Sequence, residues 1–388
     1  MKLRRLTALL LCAFFFLSIL AGCGNTEDDA VDNGGTNGTI SEPTPPDVTG
    51  SDPPEPGSID FDAALATFAP DTKMVTAGDL YITWADLYIF LFRIANDLMH
   101  FSEDGIKWDE QVEENATLAE SVLEYATEEA ISFIIFEYGL KELNVTLSAA
   151  DLEELEGDLQ NLIDMYGGKD ALEELLRENS GFYSFEVFER LIRIEFSVER
   201  IMSNLYGDDA ALFPDERVEE YAQRNGFMFA QHILISSTED PDEALTKAED
   251  ILSELNARIN DDDFLEFFDS MMHEHSEDPG SLSSFPEGYL FQFEDMVEPF
   301  SEASAELKPG EMSGLVETQF GYHIILRLPM NYDVSPISEA NHGSNNTLRQ
   351  IAVLEDFDAL LREWRDSLNI VFTPEYNSID LETIFKQH

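Results

Sequence analysis

The chain has 388 residues, which is enough for two or three folded domains. Its 79 Asp and Glu residues outnumber 22 Lys and Arg residues, so the net charge is −57. Such a charge repels nucleic acids and anionic membrane surfaces, so both are poor candidates as binding partners. The 44% of hydrophobic residues still allows folded cores.

Residues 1–22 combine a basic start with an apolar stretch that ends in Leu-Ala-Gly before Cys23. This pattern predicts a secretory signal peptide. The ending resembles the lipobox of bacterial lipoproteins, which implies lipidation of Cys23 and attachment to a membrane; a secreted chain without lipid is the alternative. Cys12 is expected to be removed with the signal, so no intramolecular disulfide is expected. Residues 23–59 are rich in Gly, Pro, Ser, Thr and Asp, which predicts a disordered tether.

Residues 60–226 have a helical pattern. A short pair of strands is predicted at Val75–Ile82, and Thr83 begins a capped helix. A long helix over Asn115–Leu143 is expected to close at Asn144, a residue type that tolerates left-handed backbone. Tyr183–Leu205 is the most regular amphipathic segment.

Residues 227–329 alternate strands with helices. Phe227–Ser236 predicts a strand that contains His232, and a hairpin is predicted at Ser313–Glu317 and Tyr322–Leu328, with His323 at the start of its second strand. Helices are predicted between them at Asp240–Arg258, Asp262–Met272 and Asp295–Ala305. This order predicts a small antiparallel sheet flanked by helices.

Residues 330–388 contain one strongly amphipathic helix, Leu348–Leu368. A single helix cannot bury its own apolar stripe, so we expect it to dock on the N-terminal helical domain. That domain would then be discontinuous, with 227–329 inserted into it. Ile370–Phe372 is predicted as a strand beside Val75–Ile82.

Three segments, FMFAQHILIS, MVEPF and GEMSGLVETQFGYHII, in this order resemble the parvulin family of peptidyl-prolyl isomerases. The helical pattern before them is similar to the chaperone domain of PrsA/SurA-like extracytoplasmic foldases. The fold class predicted is therefore α+β: a mainly helical chaperone-like domain with an inserted parvulin domain. The resemblance implies peptidyl-prolyl cis–trans isomerase activity.

The resemblance also implies the site residues. His232 and His323 would be the paired histidines that hydrogen-bond across the sheet, with Thr318 in the same network and Asp278 facing the amide. Met296 and Phe300 lie four residues apart, which would place both on one helix face as a wall for the proline ring. Leu282 is the expected third wall, and Phe285 matches a family aromatic. No cofactor or metal is needed for this chemistry.

Several alternatives stay open from the residues alone. Each histidine, Met296 and Phe300 could be ordinary core, and Asp278 could be a solvated loop acid. His273-Glu274-His275 with Glu277 and Asp278 could hold a cation. The family's Gly-Gly-Asp-Leu-Gly segment is shortened here to Gly280–Ser284, which weakens the assignment of Leu282.

The function predicted is a lipid-anchored extracytoplasmic foldase that isomerises X-Pro bonds and binds unfolded secreted chains. A holding chaperone with an inactive parvulin domain is the first alternative. A solute-binding lipoprotein is the second, disfavoured because no alternating βαβ units are present. A homodimer is left open. The loop after His232 carries no Lys or Arg, which argues against selection of phosphorylated substrates.

Overall fold

The computed structural model describes residues 58–102, 105–113, 115–341 and 345–387. The predicted signal peptide, Cys23 and the tether up to residue 57 lie outside the described residues. Ile59, the last residue of the predicted tether, is buried and pairs with Gln387.

The described residues form helices and short strands, with four successive helices between 149 and 224. In chain order they are α1 Phe61–Leu65, β1 Lys73–Ala77, β2 Leu80–Thr83, α2 Trp84–Phe101, β3 Gln111–Glu113, β4 Ala116–Thr117, α3 Leu118–Glu142, α4 Ala149–Met165, α5 Lys169–Ser180, α6 Phe185–Tyr206, α7 Asp215–Arg224, β5 Met228–Ser236, α8 Pro241–Arg258, α9 Phe264–His275, β6 Tyr289–Phe291, α10 Glu298–Glu306, β7 Val316–Thr318, β8 Gly321–Arg327, α11 Ile337–Asn341, α12 Leu348–Ser367, β9 Ile370–Phe372 and α13 Leu381–Ile384.

The chain divides into two compact units, one made of residues up to 202 and from 360 onward, the other of 203–359. The first unit is discontinuous along the chain, and both cuts fall inside helices, α6 and α12. The predicted boundaries at 226 and 329 lie inside the second unit. Residues 203–226 and 330–359, on either side of the predicted sheet domain, therefore belong to the second unit.

The first unit is helical and holds a three-stranded antiparallel sheet in the order β2-β1-β9. The predicted strand Ile370–Phe372 is confirmed, since Thr76 of β1 pairs with Val371 of β9. Thr83 caps α2 in a capping box with Asp86, as predicted. Asn144 has a φ of 51°, the left-handed backbone expected where α3 ends.

The second unit contains a four-stranded antiparallel sheet in the order β6-β5-β8-β7. The predicted strand with His232 and the predicted hairpin are confirmed as β5 and β7–β8. The first part of α12 packs in this unit, because Asp356 accepts a hydrogen bond from Tyr206 at 2.9 Å and pairs with Arg217, and Arg349 pairs with Asp215 at 2.7 Å.

Candidate active site

The two faces of the four-stranded sheet are buried by different parts of the chain. Side chains alternate along β5 and β8, so Ile233 and Ile324 face a core built with α8 and α9. The opposite face carries His232, His323 and Ile325. In the register of β5 and β8, His232 lies opposite Ile325, and His323 lies opposite Leu234. The two histidines are therefore diagonal neighbours on one face, with ring centroids 5.2 Å apart.

The imidazoles are buried, and each has one polar neighbour. His323 Nε2 lies 2.9 Å from the Thr318 hydroxyl, so Thr318 belongs to the network as predicted. His232 Nε2 lies 3.5 Å from Asp278 Oδ2. The Nδ1 atoms of both rings are buried without a hydrogen-bond partner among the described residues. The hydrogen bonding expected of the paired histidines therefore joins His323 and Thr318, and no direct bond between the two imidazoles occurs among the described residues.

Burial keeps both imidazoles neutral. It lowers the pKa of His232 to about 4, although the nearby Asp278 carboxylate partly opposes the shift. It lowers the pKa of His323 to about 3, with His232 adding to the effect and Asp278 opposing it. A neutral imidazole offers one donor and one acceptor nitrogen. At neutral pH the floor of the site is thus a set of fixed dipoles without a positive charge.

Asp278 is held beside His232 by the loop that follows α9. The backbone of this loop bonds to β5, since Glu277 N–H donates to the Leu234 carbonyl at 2.8 Å. Asp278 Oδ2 accepts hydrogen bonds from the Ser281 N–H at 2.8 Å, the Ser281 hydroxyl at 2.6 Å and the Tyr289 hydroxyl at 2.6 Å. Burial raises the pKa of Asp278, but these bonds and the neighbouring His232 outweigh it, so the net shift is downward. The carboxylate is ionised at neutral pH.

The apolar part of the site is built around Phe300. Its ring packs edge-on against His232 at 5.1 Å and His323 at 5.5 Å, and only 2% of the residue is exposed. Met296 and Phe285 are partly buried against the same cluster. Leu282 does not join the cluster and is 41% exposed, in the tight turn Gly280–Ser284. Leu282 is therefore not placed as the expected third wall.

Met296 is not on the same helix face as Phe300, so that prediction is wrong. The helix α10 begins at Glu298, with Pro299 in its first turn, and Met296 has extended backbone before it. Proline is accommodated in a first helical turn, where its missing N–H has no partner to lose. A spacing of four residues is helical only if the helix covers both positions. Here Met296 packs against the cluster that contains Phe300 from the extended residues before α10.

Sequence reasoning missed Tyr289 and Ser281, which provide all three hydrogen bonds to Asp278. Tyr289 lies in β6, opposite Ala230 of β5, and its ring stacks on His232 at 5.5 Å. Gly280 provides the available signal, because a Cβ there would lie 1.9 Å from the Tyr289 hydroxyl. The glycine lets the shortened loop approach Tyr289 closely. Such a contact depends on strand pairing and cannot be read from the local sequence.

The alternative cation site near His273 is not assembled. His273 lies 3.8 Å from Asp269, while Glu277 pairs with Lys247 at 2.7 Å. No group of three or more His, Cys, Asp and Glu residues suited to a metal ion occurs in the described part of the chain. Among the same residues, no helix combines the length and apolar character needed to cross a bilayer.

Comparison with known proteins agrees with this architecture. Residues 232–328 match the Rotamase family model, described as a PPIC-type PPIase domain. This segment is therefore a parvulin-type peptidyl-prolyl isomerase domain, the class that the sheet, the two histidines and the hairpin indicate.

The wider chain is similar to proteins named foldase protein PrsA. It is 28% identical over 173 residues to the protein of Geobacillus kaustophilus, covering 45% of this chain and 53% of that one. It is 25% identical over 234 residues to the protein of Clostridium botulinum strain Hall, covering 59% and 67%. The alignments thus span about half to two thirds of these relatives. Among solved structures, PrsA from Bacillus subtilis is 20% identical with a TM-score of 0.23, covering 73% of this chain and 100% of that chain.

Proposed function

We propose that this chain is an extracytoplasmic foldase that catalyses cis–trans isomerisation of X-Pro bonds in secreted polypeptides and binds their unfolded chains. The observation that carries the proposal is the convergence of His232, His323, Thr318 and Asp278 on one face of the sheet, beside Met296 and Phe285. These groups come from four separate segments of the chain. Their assembly around one apolar cluster suits recognition of a proline ring beside a peptide carbonyl.

The reaction needs no covalent intermediate. Rotation about the peptide bond is opposed by amide resonance, with a barrier of about 18–20 kcal/mol. A catalyst must bind the twisted amide better than the planar one. Neutral imidazoles held in a buried, fixed arrangement supply dipoles that need no reorganisation as the amide twists. Three hydrogen-bond donors hold the Asp278 carboxylate in place, so its negative charge has a fixed position beside the imidazoles.

A matched pair of methionine substitutions tests the proposal. Met296 packs against the site cluster and Met312 against the cluster on the opposite face, and both are partly buried. The assay is cis–trans isomerisation of a short X-Pro peptide. We expect Met296→Ala to lower kcat/KM about tenfold or more, whereas Met312→Ala leaves the rate per folded molecule unchanged. Equal effects of the two variants, with both folded, would contradict the proposed slot.

A holding chaperone with an inactive isomerase domain remains the second candidate, and the structure offers an observation in its favour. Phe300 is buried against both imidazoles and Leu282 is exposed. Two of the four residues expected to contact proline thus do not form an open wall. The peptide assay decides, since a wild-type chain that suppresses aggregation of unfolded proteins but gives no isomerisation above background would be a holdase.

Attachment to a membrane through a lipid on Cys23 belongs to the same proposal and is supported by the sequence Leu-Ala-Gly-Cys. Two or more acyl chains give stable anchoring. We expect the chain to fractionate with membranes when expressed in a bacterium and Cys23→Ser to release it. A chain that stays soluble before and after the substitution would argue for secretion without lipid.

A further inference from the structure

A cleft of about 330 Å³ is lined by residues of the first unit. We call it the β2 cleft, because Leu80 and Tyr81 of that strand form one wall. Its lining is mostly apolar and also contains charged side chains. The lining residues used below are Leu80, Tyr81, Asp86, Glu137, Val187 and Arg190. This volume is at the lower end of the range for ligand pockets and is large enough for one long side chain.

The strand beside the cleft is the edge of its sheet. The order is β2-β1-β9, so among the described residues β2 pairs with β1 alone. Leu80 and Ala77 close the two-residue turn of the β1–β2 hairpin, and Tyr81 lies opposite Thr76. Hydrogen-bonded and non-hydrogen-bonded pairs alternate along antiparallel strands, so the N–H and C=O of Tyr81 point away from β1. An extended peptide can pair with such an edge.

The charges of the cleft favour a cation. Arg190 pairs closely with Asp86, which is 2% exposed, and is therefore already committed. Glu137 is 35% exposed, and its nearest ion-pair atom, on Arg190, is 3.9 Å away. Burial raises the pKa of Glu137. A cation placed beside this carboxylate would relieve the cost of its burial.

Two lysines that do not line the cleft are engaged with residues that do. Lys141 pairs with Asp79 at 3.0 Å, and Lys73 lies 4.0 Å above the ring of Tyr81. Asp71 also lines the cleft. The carboxylates of the lining therefore outnumber its cations, and a Lys or Arg side chain can lay its aliphatic stem on Val187 and Tyr81 while its charged head reaches Glu137.

We propose that the β2 cleft binds an extended segment of an unfolded polypeptide, which pairs with the edge of β2 and places a Lys or Arg side chain in the cleft. The proposal rests on the client binding proposed above and locates one contact point for it. A client segment of this kind is attracted by a chain with a net charge of −57.

The test uses the full-length chain and unstructured ten-residue peptides without proline, so that the isomerase site is not engaged. One peptide carries a central Lys, and the others carry norleucine or Glu at that position. Fluorescence anisotropy measures the affinity. We expect the Lys peptide to bind at least tenfold more tightly than the Glu peptide, with the difference shrinking as salt rises. Methylation of the backbone nitrogens that face the strand edge should weaken binding about tenfold.

Glu137→Gln should remove most of the preference for Lys over norleucine, whereas Glu156→Gln, an exposed position on α4, should leave it unchanged. Equal effects of the two variants, or equal affinity for the Lys and Glu peptides, would overturn the proposal. Peptide binding that falls as the chain self-associates would show that a second copy covers the edge, which also overturns it. If none of the peptides binds and no unfolded protein binds either, the client binding itself fails.

Discussion

Acidification should destabilise the second unit through its two buried histidines. Their folded-state pKa values, about 4 for His232 and about 3 for His323, lie below the ordinary value of 6.5. At pH values between the folded and unfolded pKa values, the unfolded chain binds more protons than the folded chain. The free energy of unfolding is therefore highest above about pH 7 and decreases as the pH falls. At pH 5 an unfolded imidazole with a pKa of 6.5 is protonated, and pH 5 is 1.5 units below that pKa. At 1.36 kcal/mol per unit, the free energy of unfolding falls by about 2 kcal/mol per histidine. The pair should therefore cost about 4 kcal/mol, a large part of a typical domain stability.

The assay is urea unfolding at pH 7.5 and pH 5.0, compared with a variant in which both histidines are replaced by Asn. All three tryptophans, Trp84, Trp108 and Trp364, lie in the first unit, so their fluorescence does not report on this site. The amide signals of β5 and β8 in NMR spectra do. The chain's many carboxylates titrate in both proteins, so only the difference between them counts. The quantity compared is the decrease in the free energy of unfolding from pH 7.5 to pH 5.0. If this decrease agrees within about 1 kcal/mol in the wild type and the variant, the reasoning is refuted.

Three further predictions follow from the same geometry. Gly321→Ala should destabilise the second unit by about 3 kcal/mol or more, because φ is 138° and a Cβ would lie 2.1 Å from a backbone oxygen of β5; Gly314→Ala, which meets open space, is the control, and urea unfolding measures both. Tyr289→Phe removes one of the donors that lower the pKa of Asp278. The pKa should rise, and the acid limb of the pH–rate profile should move to higher pH; an unchanged profile would show that this bond does not affect catalysis. Peptides with Lys before proline should have a higher kcat/KM than those with Glu, and 1 M salt should abolish the difference.

The local sequence is sufficient to predict the parts of the fold that depend on neighbouring residues. The hairpin before His323 follows from strand alternation and from the residues at its turn, and Thr83 follows from capping chemistry. The position of β9 beside β1 was predictable because a short apolar strand at the end of the chain needs a partner. For the hairpin and the cap the deciding contacts lie within a few residues, whereas for β9 the local sequence shows only that a partner strand is needed.

The parts that could not be predicted depend on long-range pairing. The bond from Tyr289 to Asp278 requires β6 to pair with β5, and nothing in either segment encodes that register alone. The sequence does not decide whether the helix begins before Met296 or after it. The four-residue spacing from Met296 to Phe300 is compatible with both starts. The cut between the units at residue 202 falls within α6, whose apolar pattern continues without a break.

Two kinds of electrostatics act on different steps of the proposed reaction. Surface carboxylates determine which polypeptides approach, and salt weakens their effect over a Debye length of about 8–10 Å. The groups proposed to act on the amide include two buried, neutral imidazoles, one of which, His323, has the Thr318 hydroxyl as a partner. Dipoles in such a buried site are little affected by salt. Since approach enters kcat/KM and rotation of the bound amide enters kcat, salt should lower kcat/KM for cationic peptides while kcat stays constant. On this proposal the acidity of the chain would select clients, and rotation of the amide would depend on the buried groups of the sheet face.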